Sequence, residues 1–287
     1  MIITGDVLRE YLKKADKMGF AIPAFNYSDI WDLLAIVEAA NEEKAPIMLA
    51  SNPLVVRDIG VELCGAIGLA TMKKAIYPVM HHLDHSSSVN MCFAAIDNGY
   101  PSVMIDASKL DLKGNIEATL KVVEFAKTKG VHVEAELGKI KGNGIEGKYS
   151  GTGLDFLVNP DEAAQLVKAT KIDSLAVGIG TAHGFYEGKP EIHFDRLAEV
   201  NEAVSIPLVL HGGSGIPLED IRRAIKNGIN KVNVGTIIHC TYMNNMRTTL
   251  IEMGENPYTL DVVKPVIKAV KSVVKEWIQV CMANGKA

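Results

Sequence analysis

Several things are scarce in this chain of 287 residues, and each scarcity narrows what it does. Its four cysteines, Cys64, Cys92, Cys240 and Cys281, are scattered and form no Cys-x-x-Cys pair. That is neither a disulfide framework nor a cysteine-based zinc motif; it reads as reduced thiols in a cytoplasmic protein. No stretch reaches the roughly 18 consecutive apolar residues that cross a bilayer, so no transmembrane helix is expected. The segment Met1 to Lys14 mixes charges with isolated apolar residues and lacks the apolar block of a signal peptide. The formal net charge is only −4. Without clustered Lys and Arg, neither nucleic acid nor an anionic membrane surface is an expected partner. No internal repeat and no low-complexity tract interrupts the chain.

What is present is core-forming material, 48% hydrophobic residues, enough for one large interior. Short β-branched runs alternate with longer amphipathic stretches. Eight runs read as strands: Ala21–Asn26, Pro46–Ser51, Ile76–Asp84, Ser102–Asp106, Val131–Leu137, Ser174–Gly178, Pro207–His211 and Lys231–Val234. Between them lie helix-like segments, among them Ile30–Glu43, Asn115–Lys129, Asp161–Ala169 and Leu218–Asn227. Asp161 after Pro160 is the expected cap of its helix, and Gly130 the expected left-handed residue after another. Strand–helix alternation calls for a parallel sheet, and eight units favour a closed (β/α)8 TIM barrel, a single domain over residues 1–287.

The strands are apolar along most of their length, and their polar residues gather at the C-terminal ends. These are Asn26, Ser51, Asp84 and His85, Asp106, Glu134 and Glu136, His211 and Asn233. In a barrel those ends converge on the mouth, where active sites sit. The row MHHLDHSSS crowds His82, Asp84 and His85 at one strand end, and the period of two puts His82 and Asp84 on one face. His183 lies just past strand six and His211 ends strand seven. Histidines from three strand ends, with an open fourth position, make a catalytic zinc site in which substrate oxygens chelate a Lewis acid. The other histidines, His81, His132, His193 and His239, lack such a setting and read as structural or solvent-facing. Gly212-Gly213-Ser214-Gly215 after strand seven and Asn233-Val234-Gly235-Thr236 after strand eight occupy the usual phosphate-binding loops of this fold. The Gly-rich, charged segment Lys139–Asp155 reads as a long mobile loop, a candidate lid.

At these residues the chain resembles the class II fructose- and tagatose-bisphosphate aldolases. The resemblance runs from PAFN (Pro23–Asn26) to NVGT (Asn233–Thr236). Its most specific pieces are HLDH (His82–His85), VEAELG (Val133–Gly138), IGTAHG (Ile179–Gly184) and VLHGGSG (Val209–Gly215), and IDSLAV (Ile172–Val177) leans toward the tagatose-bisphosphate branch. The resemblance implies that His85, His183 and His211 hold a zinc ion, with Asp106 and Glu136 serving an alternative metal position. It implies Asp84 as the proton-transfer group. It implies Asn26, Ser51, Gly184, Gly212, Gly213, Ser214, Asn233, Val234, Gly235 and Thr236 as substrate contacts. A monovalent cation, Na+ or K+, near the phosphate and a homodimer or homotetramer are also implied.

The implied reaction is reversible retro-aldol cleavage of a ketose 1,6-bisphosphate, of tagatose or fructose type, to dihydroxyacetone phosphate and glyceraldehyde 3-phosphate. It needs a base for the C4 hydroxyl proton, which Asp84 offers, and an electron sink, which zinc offers. No lysine sits at a predicted strand end, which argues against an imine route.

The chain departs from the family in three places. The glutamate for the second proton stands after a Gly-Gly pair in relatives, whereas here Glu146 follows Lys139-Ile140-Lys141-Gly142-Asn143-Gly144-Ile145. Ile237 replaces an acidic residue. The stretch from Asn256 to Asp261 lacks the arginine that reads a far phosphate, with Arg247 nearby in sequence. A ketose 1-phosphate with an unphosphorylated aldehyde is therefore the second expectation. From other classes, a metal-dependent barrel hydrolase and a non-catalytic partner subunit also fit parts of the pattern.

Overall fold

The computed structural model describes residues 3–138, 141–144, 147–149, 156–184 and 190–287, with the backbone alone for 141–144 and 147–149. Its strands, in chain order, are β1 Ile22–Asn26, β2 Ile47–Ser51, β3 Val79–Ser86, β4 Ser102–Ile105, β5 His132–Leu137, β6 Lys141–Gly144, β7 Gly147–Tyr149, β8 Ser174–Val177, β9 Ala182–His183, β10 Leu208–Leu210 and β11 Ile229–Val234. Eight of them close a barrel in the order β1-β2-β3-β4-β5-β8-β10-β11, every neighbour parallel, β11 returning to β1 through Ile22↔Lys231 and Phe25↔Val234. This is the (β/α)8 barrel that the strand–helix alternation calls for, with β1 to β5, β8, β10 and β11 at the eight expected places. Both faces of each barrel strand are covered, which is why the runs are mostly apolar.

The helices begin and end where local chemistry demands. Ile30–Glu43 opens on a capping box: Asp29 Oδ1 accepts from the amides of Trp31 (2.7 Å) and Asp32 (3.1 Å), and Asp32 Oδ1 accepts from Asp29 N–H (3.1 Å). Leu112–Lys127 starts three residues before its expected position because Asp111 Oδ1 caps it through Gly114 N–H, and Gly130 carries the left-handed φ of 68° beyond its end. Pro160–Thr170 is capped by Asn159 rather than Asp161. Proline belongs at the first helical position, which leaves the residue before it as the cap, and Asp161 falls in the first turn. β3 runs Val79–Ser86 instead of starting at Ile76, whose side chain is exposed and which precedes Pro78, a residue with no N–H for a ladder.

An N-terminal helix, Gly5–Met18, packs on β1, β5 and β11 with Leu8, Leu12 and Ala15 buried, and Arg9 reaches Val131 O (2.8 Å) and Asp173 (2.6 Å). The C-terminal helix, Thr259–Val280, lays Val262, Val266, Val270, Val274 and Trp277 against this chain's own helices Ile30–Glu43 and Thr236–Met253. Part of the segment expected as a long loop, Lys139–Asp155, forms a small second sheet. β6 pairs antiparallel with β7 and parallel with β9, where Gly142 lies opposite His183. No described helix is long and apolar enough to cross a membrane.

Candidate active site

The site is built at the C-terminal ends of the barrel strands, and a bulge in β3 assembles its centre. Alternation along β3 turns His82 and Asp84 inward together and would turn His85 away. Between Leu83 and Ser86 the register with β4 shifts, and His85 adopts φ 49°, a left-handed conformation that a non-glycine residue rarely takes. Both Asp84 and His85 thereby line one cavity, of about 510 Å³, at the barrel mouth.

His85 and His183 line that cavity, and the third sequence-predicted histidine, His211, is buried directly beside them. One ring nitrogen from each of His85, His183 and His211 lies within 4.8 Å of the others. His211 Nδ1 and His85 Nε2 are 2.6 Å apart, and the His85 and His183 rings meet edge to face with centroids at 4.8 Å. Burial pushes His183 down to about 4 and His211 well below the ordinary histidine value, so both are neutral near pH 7 and carry lone pairs. Three nitrogens converging from three strand ends at this separation fit a divalent metal of the zinc type. His85, Asp106 and Glu136 form a second group of the same tightness, with His85 Nδ1 at 3.4 Å from Asp106 Oδ2 and 3.8 Å from Glu136 Oε2. The two groups share His85, whose Nε2 faces His211 and whose Nδ1 faces the two carboxylates.

Asp84 is clamped beside the triad. Its Oδ2 accepts from Asn26 Nδ2 and its Oδ1 from Asn233 Nδ2, each at 2.8 Å. Burial alone would raise its pKa, but His85, His211, the Lys231 ammonium and the Asn26 amide outweigh it, and the carboxyl is held below the usual aspartate range.

The two glycine loops face the same cavity. Gly213–Gly215 forms a 3-10 turn, and Ser214 Oγ accepts from Ile237 N–H at 3.2 Å, tying this turn to the first turn of the helix Thr236–Met253. The cap position of that helix is Gly235, which has no side chain of its own to cover the N-terminus; Ser214 takes the Ile237 amide, and a helix N-terminus favours an anion. A methyl group on Gly212 would overlap the Ala182 carbonyl, and one on Gly235 would press on Asn26; both loops are drawn close to their neighbours.

Asn26, Asp84, His85, His183, Gly184, Gly212, Gly213, Ser214, Asn233, Gly235 and Thr236 thus line one cavity. Of the other sequence-predicted residues, His211, Asp106 and Glu136 adjoin it through the two metal-competent groups with His85, whereas Ser51 and Val234 stand apart. Ser51 is wholly buried, its Oγ 2.9 Å from Tyr100 Oη. Val234 is buried in β11. Glu146 lies outside the described residues.

Sequence reading also missed Ser28, Asn52, Leu54, Val55 and His239, which line the cavity from the loop after β1, from the start of the helix Pro53–Ile59 and its cap Asn52, and from the first turns of Thr236–Met253. Their signal was position: each follows a strand end within a few residues. His239 is solvent-facing as expected, and it borders the cavity as well. The expected structural role fits His81, whose ring stacks on Tyr100 at 4.0 Å and meets Tyr27 Oη at 3.0 Å.

A parallel barrel that gathers a metal-competent histidine triad, a clamped carboxylate and two glycine loops at its mouth has the build of an enzyme active site. The family model for class II fructose-bisphosphate aldolase matches residues 6–286. Among solved structures, the YdjI aldolase of Escherichia coli K12 is 32% identical over 98% of each chain, with a TM-score of 0.85. A putative fructose-1,6-biphosphate aldolase from Coccidioides immitis is 28% identical over 96% of each, with a TM-score of 0.87. The fructose-bisphosphate aldolase of Campylobacter jejuni shares the fold, with 20% identity over 99% of this chain and 97% of that one and a TM-score of 0.84. This chain belongs to the class II fructose-bisphosphate aldolase family, and its reaction class is that of an aldehyde-lyase.

Proposed function

We propose that the protein catalyses zinc-dependent, reversible retro-aldol cleavage of a ketose phosphate and releases dihydroxyacetone phosphate. The observation that carries this is the meeting of His85, His183 and Asp84 with both glycine loops in one cavity, with a ring nitrogen of His211 within 4.8 Å of those of the other two histidines. Bound by the three histidines, zinc would supply the Lewis acid that accepts electron density as the C3–C4 bond breaks. Asp84, ionised and with each oxygen oriented by an asparagine amide, takes the C4 hydroxyl proton through a remaining lone pair. Backbone amides of the Gly212–Gly215 turn and the open helix start at Gly235 and Thr236 hold the C1 phosphate. Asn233 Oδ1 has no hydrogen-bond partner among the described residues and offers an acceptor for a substrate hydroxyl. Glu146 is the proposed donor of the second proton; unchanged turnover in Glu146→Gln would remove it from the mechanism.

For the aldehyde half, a 1,6-bisphosphate of tagatose or fructose type is one reading and a ketose 1-phosphate with an unphosphorylated tail the other. The cavity favours the second, because Leu54 and Val55 line it and no Lys or Arg does among the described residues. Release of dihydroxyacetone phosphate from fructose 1,6-bisphosphate, tagatose 1,6-bisphosphate and several ketose 1-phosphates decides between them. EDTA is expected to abolish release and zinc to restore it; release that persists in EDTA would sink the proposal. Replacing K+ and Na+ by tetramethylammonium in the same assay tests for a monovalent cation. Self-association into a dimer or tetramer is proposed through exposed Met243, Leu250, Ile251, Met253 and Tyr258, which cluster in sequence around the end of Thr236–Met253. Light scattering at the monomer mass of 31.0 kDa would exclude it.

A further inference from the structure

One buried cluster below the mouth takes no part in the reaction as derived so far. Glu134 in β5 and Lys231 in β11 are wholly buried inside the barrel, two residues before Glu136 and Asn233 respectively. Lys231 Nζ donates to Glu134 Oε2 at 2.8 Å and to Oε1 at 3.0 Å. Its third partner is His82 Nε2 at 3.4 Å, and His82 Nδ1 in turn meets Ser102 Oγ at 2.8 Å. Glu134 Oε1 also lies 2.9 Å from His211 Nε2.

We infer that Glu134, held by Lys231, is a positioning residue for the metal site: it fixes His211 in the tautomer whose Nδ1 is free to bind the ion. This rests on the reading of His211 as a metal ligand. The argument is donor and acceptor counting. An ammonium has three donors and no acceptor, so both Glu134 oxygens are acceptors of Lys231. His211 Nε2, facing the same carboxylate, must therefore carry the proton and donate, which leaves the lone pair on Nδ1. The far side of the ring agrees. Nδ1 points at His85 Nε2, 2.6 Å away, and at the Asn233 amide nitrogen, 3.2 Å away, itself a donor that needs an acceptor there. A carboxylate behind a metal-binding imidazole fixes ring orientation as well as tautomer. Lys231 is what keeps that carboxylate in place in a dry interior, and His82 completes the seat of the lysine. The histidine that the sequence sets beside Asp84 thus faces the lysine instead of the metal.

The test uses the whole metal-free protein reloaded with zinc. Glu134→Leu alone would strand the Lys231 charge, so the informative variant is Glu134→Leu/Lys231→Met, which removes both charges and the acceptor facing His211 together. Its metal-free melting temperature reports folding, and chelator competition reports zinc affinity. A 10- to 100-fold weaker zinc affinity, with shifted absorption bands in the cobalt-substituted protein, is expected. Affinity within twofold of wild type, whatever the melting temperature, overturns the inference and leaves the pair purely structural. Nitrogen-15 spectra of histidine-labelled wild type add a readout that needs no variant. The His211 Nε2 proton should persist on zinc addition while Nδ1 moves; the reverse pattern overturns the inference. His211→Ala keeps the two questions apart, since zinc bound as tightly by that variant as by wild type would refute the ligand reading itself.

Discussion

Asp84 is useful as a base because of what its neighbours leave it. Two asparagine amides each use one lone pair of the carboxylate, orienting it while leaving acceptor capacity on both oxygens. Asp84→Asn keeps the size and loses the base. Turnover is expected to fall by about 10²- to 10⁴-fold with zinc content unchanged, measured by dihydroxyacetone phosphate release and metal analysis. An undiminished rate would move the proton transfer elsewhere. Ser51 illustrates the opposite case. Family likeness implies a substrate contact, whereas its hydroxyl is committed to Tyr100 in the interior. Ser51→Ala is expected to cost about 1 kcal/mol of stability and to leave KM unchanged, by denaturant melts and steady-state kinetics. A raised KM would restore the substrate role.

Among the elements, the bulge in β3 and the turn after β10 do the assembling. Without the register shift after Leu83, His85 would face the helical layer rather than the mouth. Gly212 lets the phosphate turn lie against β9: its φ is 72°, and a side chain would strike the Ala182 carbonyl. Gly212→Ala is expected to destabilise the protein by about 1–2 kcal/mol from left-handed strain alone. It should also raise KM for the phosphorylated substrate, since the turn must move away from the Ala182 backbone. A variant with wild-type KM would show that the turn does not hold phosphate. Asn159→Ala, which removes a cap from the helix Pro160–Thr170, is expected to cost about 1 kcal/mol and leave kcat untouched.

At the scale of the whole molecule, buried histidines stand on both faces of the barrel wall, His81 towards the helices and His132 towards the interior. Burial pushes His81 down to about 3 and His132 to about 4, against an ordinary 6.5. Below pH 6.5 the unfolded chain takes up protons that the folded chain refuses until the pH falls to about 4 or 3. Stability therefore falls as pH falls through that window and is unaffected by these groups above it. Calorimetry of the metal-free protein should give a lower melting temperature at pH 5 than at pH 7; equal values would mean that the two rings titrate normally.

Much of this was legible along the chain. Apolar runs of strand length, separated by helical periods, are a local record of strands covered on both faces, and eight of them are enough for a closed barrel. Polar residues at strand ends point to the mouth for the same reason, and the glycine loops announce themselves by composition. Three matters needed the third dimension. The left-handed turn at His85 is a bulge that no local signal marks, because a histidine there is strained and only the surrounding strands hold it. Ser51 and Asn52 are adjacent at one strand end, yet packing buries the first and leaves the second on the cavity. Lys231, read as the start of a strand, finds Glu134 some 97 residues away only when β11 and β5 face each other across the barrel. Sequence determined which elements form and which residues they carry. Tertiary structure decided which side chains face each other across the barrel, because distance through a closed sheet bears no relation to distance along the chain.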